Sequence, residues 1–118
     1  PGLIHIGSEA ENPVYLSRYQ DGHYSEDQIP TGWPVVIEKA GQYEISINRV
    51  STNKKGSLVL KIDNDPVISK SLENNLNSAV FNLPKGKFKI NIWCEEEGET
   101  YRPRSSEDLI GDVTIKRL

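Results

Sequence analysis

Between Gly41 and Arg49 apolar and polar residues alternate, with Tyr43, Ile45 and Ile47 on one phase and Glu44, Ser46 and Asn48 on the other. A period of two is the pattern of a strand with one face on a core and the other in water. A near-copy follows Leu83-Pro84-Lys85-Gly86, where Phe88, Ile90 and Ile92 point one way and Lys87, Lys89 and Asn91 the other. Both units open on a glycine turn. Between them, Leu58-Val59-Leu60-Lys61-Ile62 places Leu58, Leu60 and Ile62 on one face, and Ser78-Ala79-Val80-Phe81-Asn82-Leu83 reads as the strand entering the second turn.

The remaining elements are shorter. Trp33–Glu38 reads as a strand in which Pro34 removes one ladder donor, so the strand should start there or lie at an edge. Asp63-Asn64-Asp65-Pro66 predicts a tight turn and Val67–Lys70 a return strand, while Ile110–Leu118 closes the chain as a strand. Glu95-Glu96-Glu97-Gly98 is expected to end the sheet, with a polar loop from there to Asp108. Ahead of Trp33, Leu3–Ile6 and Val14–Leu16 are short extended pieces among turn signals. About seven to nine short strands at this spacing, with no helical periodicity, predict an all-β antiparallel two-sheet β-sandwich. The expected organisation is a linker-like segment over residues 1–32 packing on a sandwich of residues 33–118.

Composition narrows the partners. The chain of 118 residues is 36% hydrophobic with a net charge of −3, enough to bury a core within one domain. No basic stripe exists to displace counterions from phosphates, which argues against nucleic acid. No apolar run reaches the roughly 20 residues that span a bilayer. A single cysteine, Cys94, rules out an internal disulfide framework. The chain opens on Pro1 and holds no methionine, so a piece of a longer protein is expected.

The order of a Gly-x-Tyr strand, an alternating Leu strand, a Leu-Pro-x-Gly strand and a final Val-x-Ile strand resembles jelly-roll sandwiches of the galactose-binding-like class, including carbohydrate-binding modules. Ile4–Arg18 is similar to the linker by which secreted bacterial arylsulfatases leave their catalytic domain, and Gly32–Ser46 is similar to the block that follows. Two departures stand out. Arg18-Tyr19-Gln20-Asp21 replaces an Asp-Trp pair, and Asp112-Val113-Thr114 replaces adjacent aromatics in the final strand. The resemblance implies a non-catalytic C-terminal accessory domain, extracellular or periplasmic, whose partner is an N-terminal sulfatase catalytic domain of the same chain.

The family's nucleophile lies in a Cys/Ser-x-Pro-x-Arg signature beside calcium. Cys94-Glu95-Glu96-Glu97-Gly98 does not fit it, nor do Ser105 and Ser106. The resemblance therefore implies that catalysis and calcium belong to the catalytic domain, with no cofactor and no enzymatic activity here. Cys94 reads as a small apolar residue ending its strand. His5 and His23 have no second ligand at zinc spacing. A cluster of His23, Asp21 and Ser25 can be drawn on paper, but a catalytic base needs hydrogen-bond geometry that loop proximity does not supply. Asp63, Asn64 and Asp65 carry calcium-type oxygens, although an Asx turn explains them more simply. The Glu95–Glu97 run reads as a solvated loop facing Arg102 and Arg104.

The second hypothesis is an autonomous carbohydrate-binding module recognising a sulfated glycan. Sugar rings stack on aromatic faces and charged substituents need cations, so the candidates are Tyr19, Tyr24, Trp33 and Tyr101 with Arg18, Arg102 and Arg104. An accessory domain predicts a bare apolar patch, a glycan module predicts exposed aromatics, and an enzyme predicts a pocket of perturbed titratable groups.

Overall fold

A computed structural model describes residues 3–8, 12–16, 32–49, 55–72, 76–101 and 110–118. Ten strands appear in it: β1 (Ile4–Ile6), β2 (Val14–Leu16), β3 (Trp33–Ile37), β4 (Gly41–Arg49), β5 (Gly56–Ile62), β6 (Ile68–Leu72), β7 (Ser78–Leu83), β8 (Gly86–Glu96), β9 (Glu99–Tyr101) and β10 (Ile110–Arg117). They form two sheets. The first has the order β1-β3-β8-β5-β6 with β9 alongside the far end of β8, and the second has the order β2-β10-β4-β7. Every pairing is antiparallel except β1 with β3. The protein is an all-β sandwich, as the alternating pattern requires.

Alternation decides which side chains meet between the sheets. Tyr43, Ile45 and Ile47 of β4 face Ile90 and Ile92 of β8 across one buried cluster, joined by Trp33, Val35 and Ile37 of β3 and Phe81 and Leu83 of β7. Burying a side chain of this size contributes about 1.5–3 kcal/mol each, so this cluster dominates the favourable side of folding. Cys94 belongs to the same core, on the inward phase of β8.

At each of the two glycine turns the chain passes tightly from one layer to the other. From β3 to β4 it leaves the first sheet for the second, and from β7 to β8 it returns. The two crossings pair with each other: Ile37 lies opposite Gly86, and Leu83 opposite Gly41. β1 reinforces the first crossing, since the Glu38 N–H donates to the Ile6 carbonyl at 2.9 Å. The Tyr43 hydroxyl donates to the Lys39 carbonyl at 2.6 Å from within the core.

Gly7 sits directly against that hydroxyl. Its φ is +89°, and a Cβ there would lie 2.2 Å from the Tyr43 oxygen and 3.2 Å from Cζ. Both the backbone conformation and the space therefore demand glycine.

Three sequence expectations change. The described parts of residues 1–32 are woven into the sandwich rather than laid on it: β1 joins one sheet, β2 the other, and Ile6, Val14 and Leu16 are core residues. Three-residue strands carry too little pattern to show this, because their place depends on partners far along the chain. Asn12 extends the β2–β10 pairing with its side chain, donating to the Arg117 carbonyl at 3.2 Å and accepting the Arg117 N–H at 2.8 Å. The acidic run does not end the sheet either. β8 continues to Glu96, Glu97-Gly98 makes a two-residue turn with both residues at positive φ, and β9 returns along β8. Glu96, on the inward phase, is 4% exposed, so the run is strand and turn rather than a solvated loop. Arg102 and Arg104 lie outside the described residues. Pro34 behaves as expected for a strand start: it is the second residue of β3, and β1 pairs only from Val35 onward.

Gly7→Ala should destabilise the chain by about 2–4 kcal/mol in urea unfolding, from positive-φ strain and overpacking together. In a Tyr43→Phe background the same change should cost less, because the nearest clashing atom is gone, and a double-mutant cycle reads the difference. The Tyr43 phenol is raised above its usual value near 10, mainly by burial, with the Arg117 charge and the Lys39 hydrogen bond opposing. The folded state thus holds that proton after the unfolded state has released it, so stability should fall as pH rises above about 10. Tyr43→Phe should remove that part of the alkaline loss in pH-dependent melts.

Candidate functional site

The outward phase of β8 is set by the same alternation that fills the core. Lys87, Lys89, Asn91, Trp93 and Glu95 share it, and cross-strand register places a partner beside each. Pro34 of β3 flanks Lys89 on one side, with Asp63 beyond β5 on the other; Lys61 lies opposite Asn91; Val59 lies opposite Trp93. The outer face of the first sheet is therefore a sequence of rungs, cationic at the Lys87–Lys89 end, with an apolar Val59–Trp93 rung before the terminal Ser57–Glu95 pair.

Two depressions open in the cationic part. One of about 420 Å³ is lined by Lys61, Asp63, Asn64, Lys89 and Asn91. The second, about 330 Å³, is lined by Leu3, Pro34, Asp63, Lys87, Phe88 and Lys89. They share Asp63 and Lys89, so together they make one trough with a polar arm and a more apolar arm. Opposed side chains in an antiparallel pair stand about 4.5–5.5 Å apart at Cβ, which puts the Lys61 ammonium and the Asn91 amide within reach of one ligand group.

The walls are fixed by backbone chemistry. Asp63 follows the last residue of β5 and prolongs its pairing with β8: its N–H donates to the Lys89 carbonyl at 2.8 Å, and its Oδ1 accepts the Lys89 N–H at 2.8 Å. It does so at φ 46°, the left-handed region that Asp and Asn tolerate best among non-glycine residues. The Asp65 N–H closes a backbone β-turn onto the Ile62 carbonyl at 2.9 Å. The tight turn is where the sequence predicts it, but it is not an Asx turn, because Asp63 Oδ1 is taken by the Lys89 N–H across the sheet. Gly32 buttresses Asn91 from the other side. At φ +99°, a Cβ on it would lie 2.9 Å from the Ile90 carbonyl oxygen and 3.0 Å from Asn91 Nδ2.

Of the residues expected to bind sugar, Trp33 is corrected: it is 1% exposed and packed in the core, so no ring can stack on it. The aromatic that opens β3 lies on the inward phase with Val35 and Ile37. Tyr101 ends β9 opposite Cys94. Arg18, Tyr19, Tyr24, Arg102 and Arg104 lie outside the described residues, as do His23, Asp21 and Ser25. Trp93 is an outward residue of β8, 8% exposed beside Val59, and its Nε1–H donates to Glu95 Oε1 at 3.0 Å. His5, on β1, pairs through Nδ1 with Glu38. Among the described residues no group of three His, Cys, Asp or Glu side chains could hold a metal ion. No helix among them is long and apolar enough to cross a membrane.

The trough residues are those sequence reasoning missed. The lysines of β8 are legible as an outward phase, but the register that brings Lys61 and Asp63 beside them is not. Exposed large apolar residues, among them Tyr15, Val67, Leu76 and Leu118, are spread over different elements.

No protein-family model, no curated protein and no solved structure matches the chain.

Gly32→Ala should displace the Asn91 side chain and strain the approach to β3. The Asn91 side-chain amide resonances should shift in a two-dimensional NMR spectrum, with a loss of about 1–3 kcal/mol in stability.

Proposed function

We propose that this chain is a non-catalytic accessory module of a sulfatase-like hydrolase, and that it holds an anionic, sulfated or carboxylated glycan in the trough on the outer face of its first sheet. The observation that carries the reading is the trough itself. Lys61 and Lys89 supply ammonium donors, Asn64 and Asn91 supply amides, and the four stand on or beside strands whose other faces are locked in the core. Glycan sites need such a combination: cations for the acidic substituent, amides for hydroxyls and an apolar floor for the ring's C–H face. Leu3 and Pro34 provide that floor in the adjoining arm.

The link to a sulfuric ester hydrolase rests on the resemblance of residues 4–18 and 32–46 to the arylsulfatase linker and the block after it. The structure's contribution to that reading is mechanical. β1 and β2 put one strand into each sheet, so in this reading the chain arriving from a catalytic domain is anchored in both layers of the sandwich. In this reading the sandwich is jelly-roll-like and the domain works outside the cytoplasm. Calcium and the nucleophile belong to the catalytic domain.

The test is calorimetric titration of the chain with a sulfated oligosaccharide and with its desulfated counterpart. The sulfated compound should bind and weaken as salt is raised, because exposed charges are screened within about 8–10 Å at physiological ionic strength. Lys61→Glu and Lys89→Glu should each weaken binding by about tenfold without lowering the melting temperature, since both side chains lie outside the core. Absence of heat with either compound, or wild-type affinity in both lysine variants, refutes the trough as the site.

A further inference from the structure

We infer that Asp63 sets the selectivity of the trough, making it a seat for an isolated anionic group with a neighbouring hydroxyl rather than for a dense polyanion. This rests on the reading of the trough as an anionic-glycan site. Asp63 is the residue, with Lys89, that lines both arms, so a ligand occupying either one meets its carboxylate. The position is not a loose surface placement. Two backbone-directed bonds of 2.8 Å tie Asp63 to Lys89, one through its N–H and one through Oδ1. The carboxylate therefore stays at the seam whatever the lysines around it do.

A fixed negative charge among lysines has two effects on a ligand. It accepts a hydrogen bond from a hydroxyl, and it repels a second anion placed within a few ångströms. A sugar with one sulfate ester or carboxylate beside a free hydroxyl satisfies both ends, the anion toward Lys61 or Lys89 and the hydroxyl toward Asp63. A sugar esterified at every position, or a phosphodiester polymer, brings another anion to Asp63 and loses part of what the lysines supply.

Asp63→Asn isolates the charge, because Asn retains an Oδ1 acceptor for the Lys89 N–H and tolerates the left-handed backbone. Two probes are titrated into wild type and variant at one salt concentration: a monosulfated disaccharide with a free hydroxyl next to the ester, and the fully sulfated disaccharide of the same backbone. Wild type should prefer the monosulfated probe. The variant should gain about fivefold for the fully sulfated probe and lose about threefold for the monosulfated one, the size of effect exposed charges and single hydrogen bonds produce. A wild type that prefers the fully sulfated probe overturns the inference without any variant, and so does a variant whose preference ratio is unchanged. If wild type binds neither probe, the failure lies with the trough as a site and not with the role of Asp63.

Discussion

The β3–β4 and β7–β8 passages between the sheets hold each other in place, and the sandwich is organised around that contact. β3 crosses to β4 and β7 crosses back to β8, and each incoming strand pairs with the outgoing strand of the other passage. Neither passage can shift along its strand without shifting the other, and a slip of one residue would turn every core side chain outward. Tyr43 fixes the first passage from inside, bonding its own corner at Lys39 while its ring fills the space that Gly7 leaves open. The end of β1, the corner and the core are thereby one mechanical unit.

β8 joins this frame to the trough. One phase of the strand carries Ile90, Ile92 and Cys94 into the core, and the other carries Lys87, Lys89 and Asn91 into solvent. Long flexible ammonium groups normally give up rotamer entropy on binding. Here the backbone under them is held by neighbours on both sides, so only the side chains remain to be ordered. Farther along the same face, Val59 and Trp93 are buried outside the main core cluster and bound the trough on that side.

Much of the fold could be read from residue order. The alternation in β4, β5 and β8 named the inward side chains, and a tight turn at Asp63–Asp65 followed from its Asp, Asn and Pro residues. What could not be read came from pairing between distant parts of the chain. β1 and β2 have three residues each and take their identity from β3 and β10. β9 was hidden because Glu95–Glu97 looks like a solvated run, whereas the hairpin depends on positive φ at Glu97 and Gly98. The candidate site was harder still. Tyrosines and arginines in polar stretches attract attention as sugar ligands, but the cationic trough exists only once Lys61, Asp63 and Lys89 are brought side by side by register. Trp33 differs: a tryptophan at a strand start can serve as a sugar platform or cap the core, and its phase with Val35 and Ile37 decides for the core.

β6 ends the first sheet, paired with β5 on one side only among the described residues, with Ile68 and Lys70 both exposed. A second copy approaching this open edge about a two-fold axis would align the strand with itself, and Lys70, midway between Ile68 and Leu72, would meet its own counterpart. Two ammonium groups brought face to face oppose that ladder before the apolar Val67 and Ile68 can reward it. A single central lysine thus disfavours pairing of this edge with its own copy.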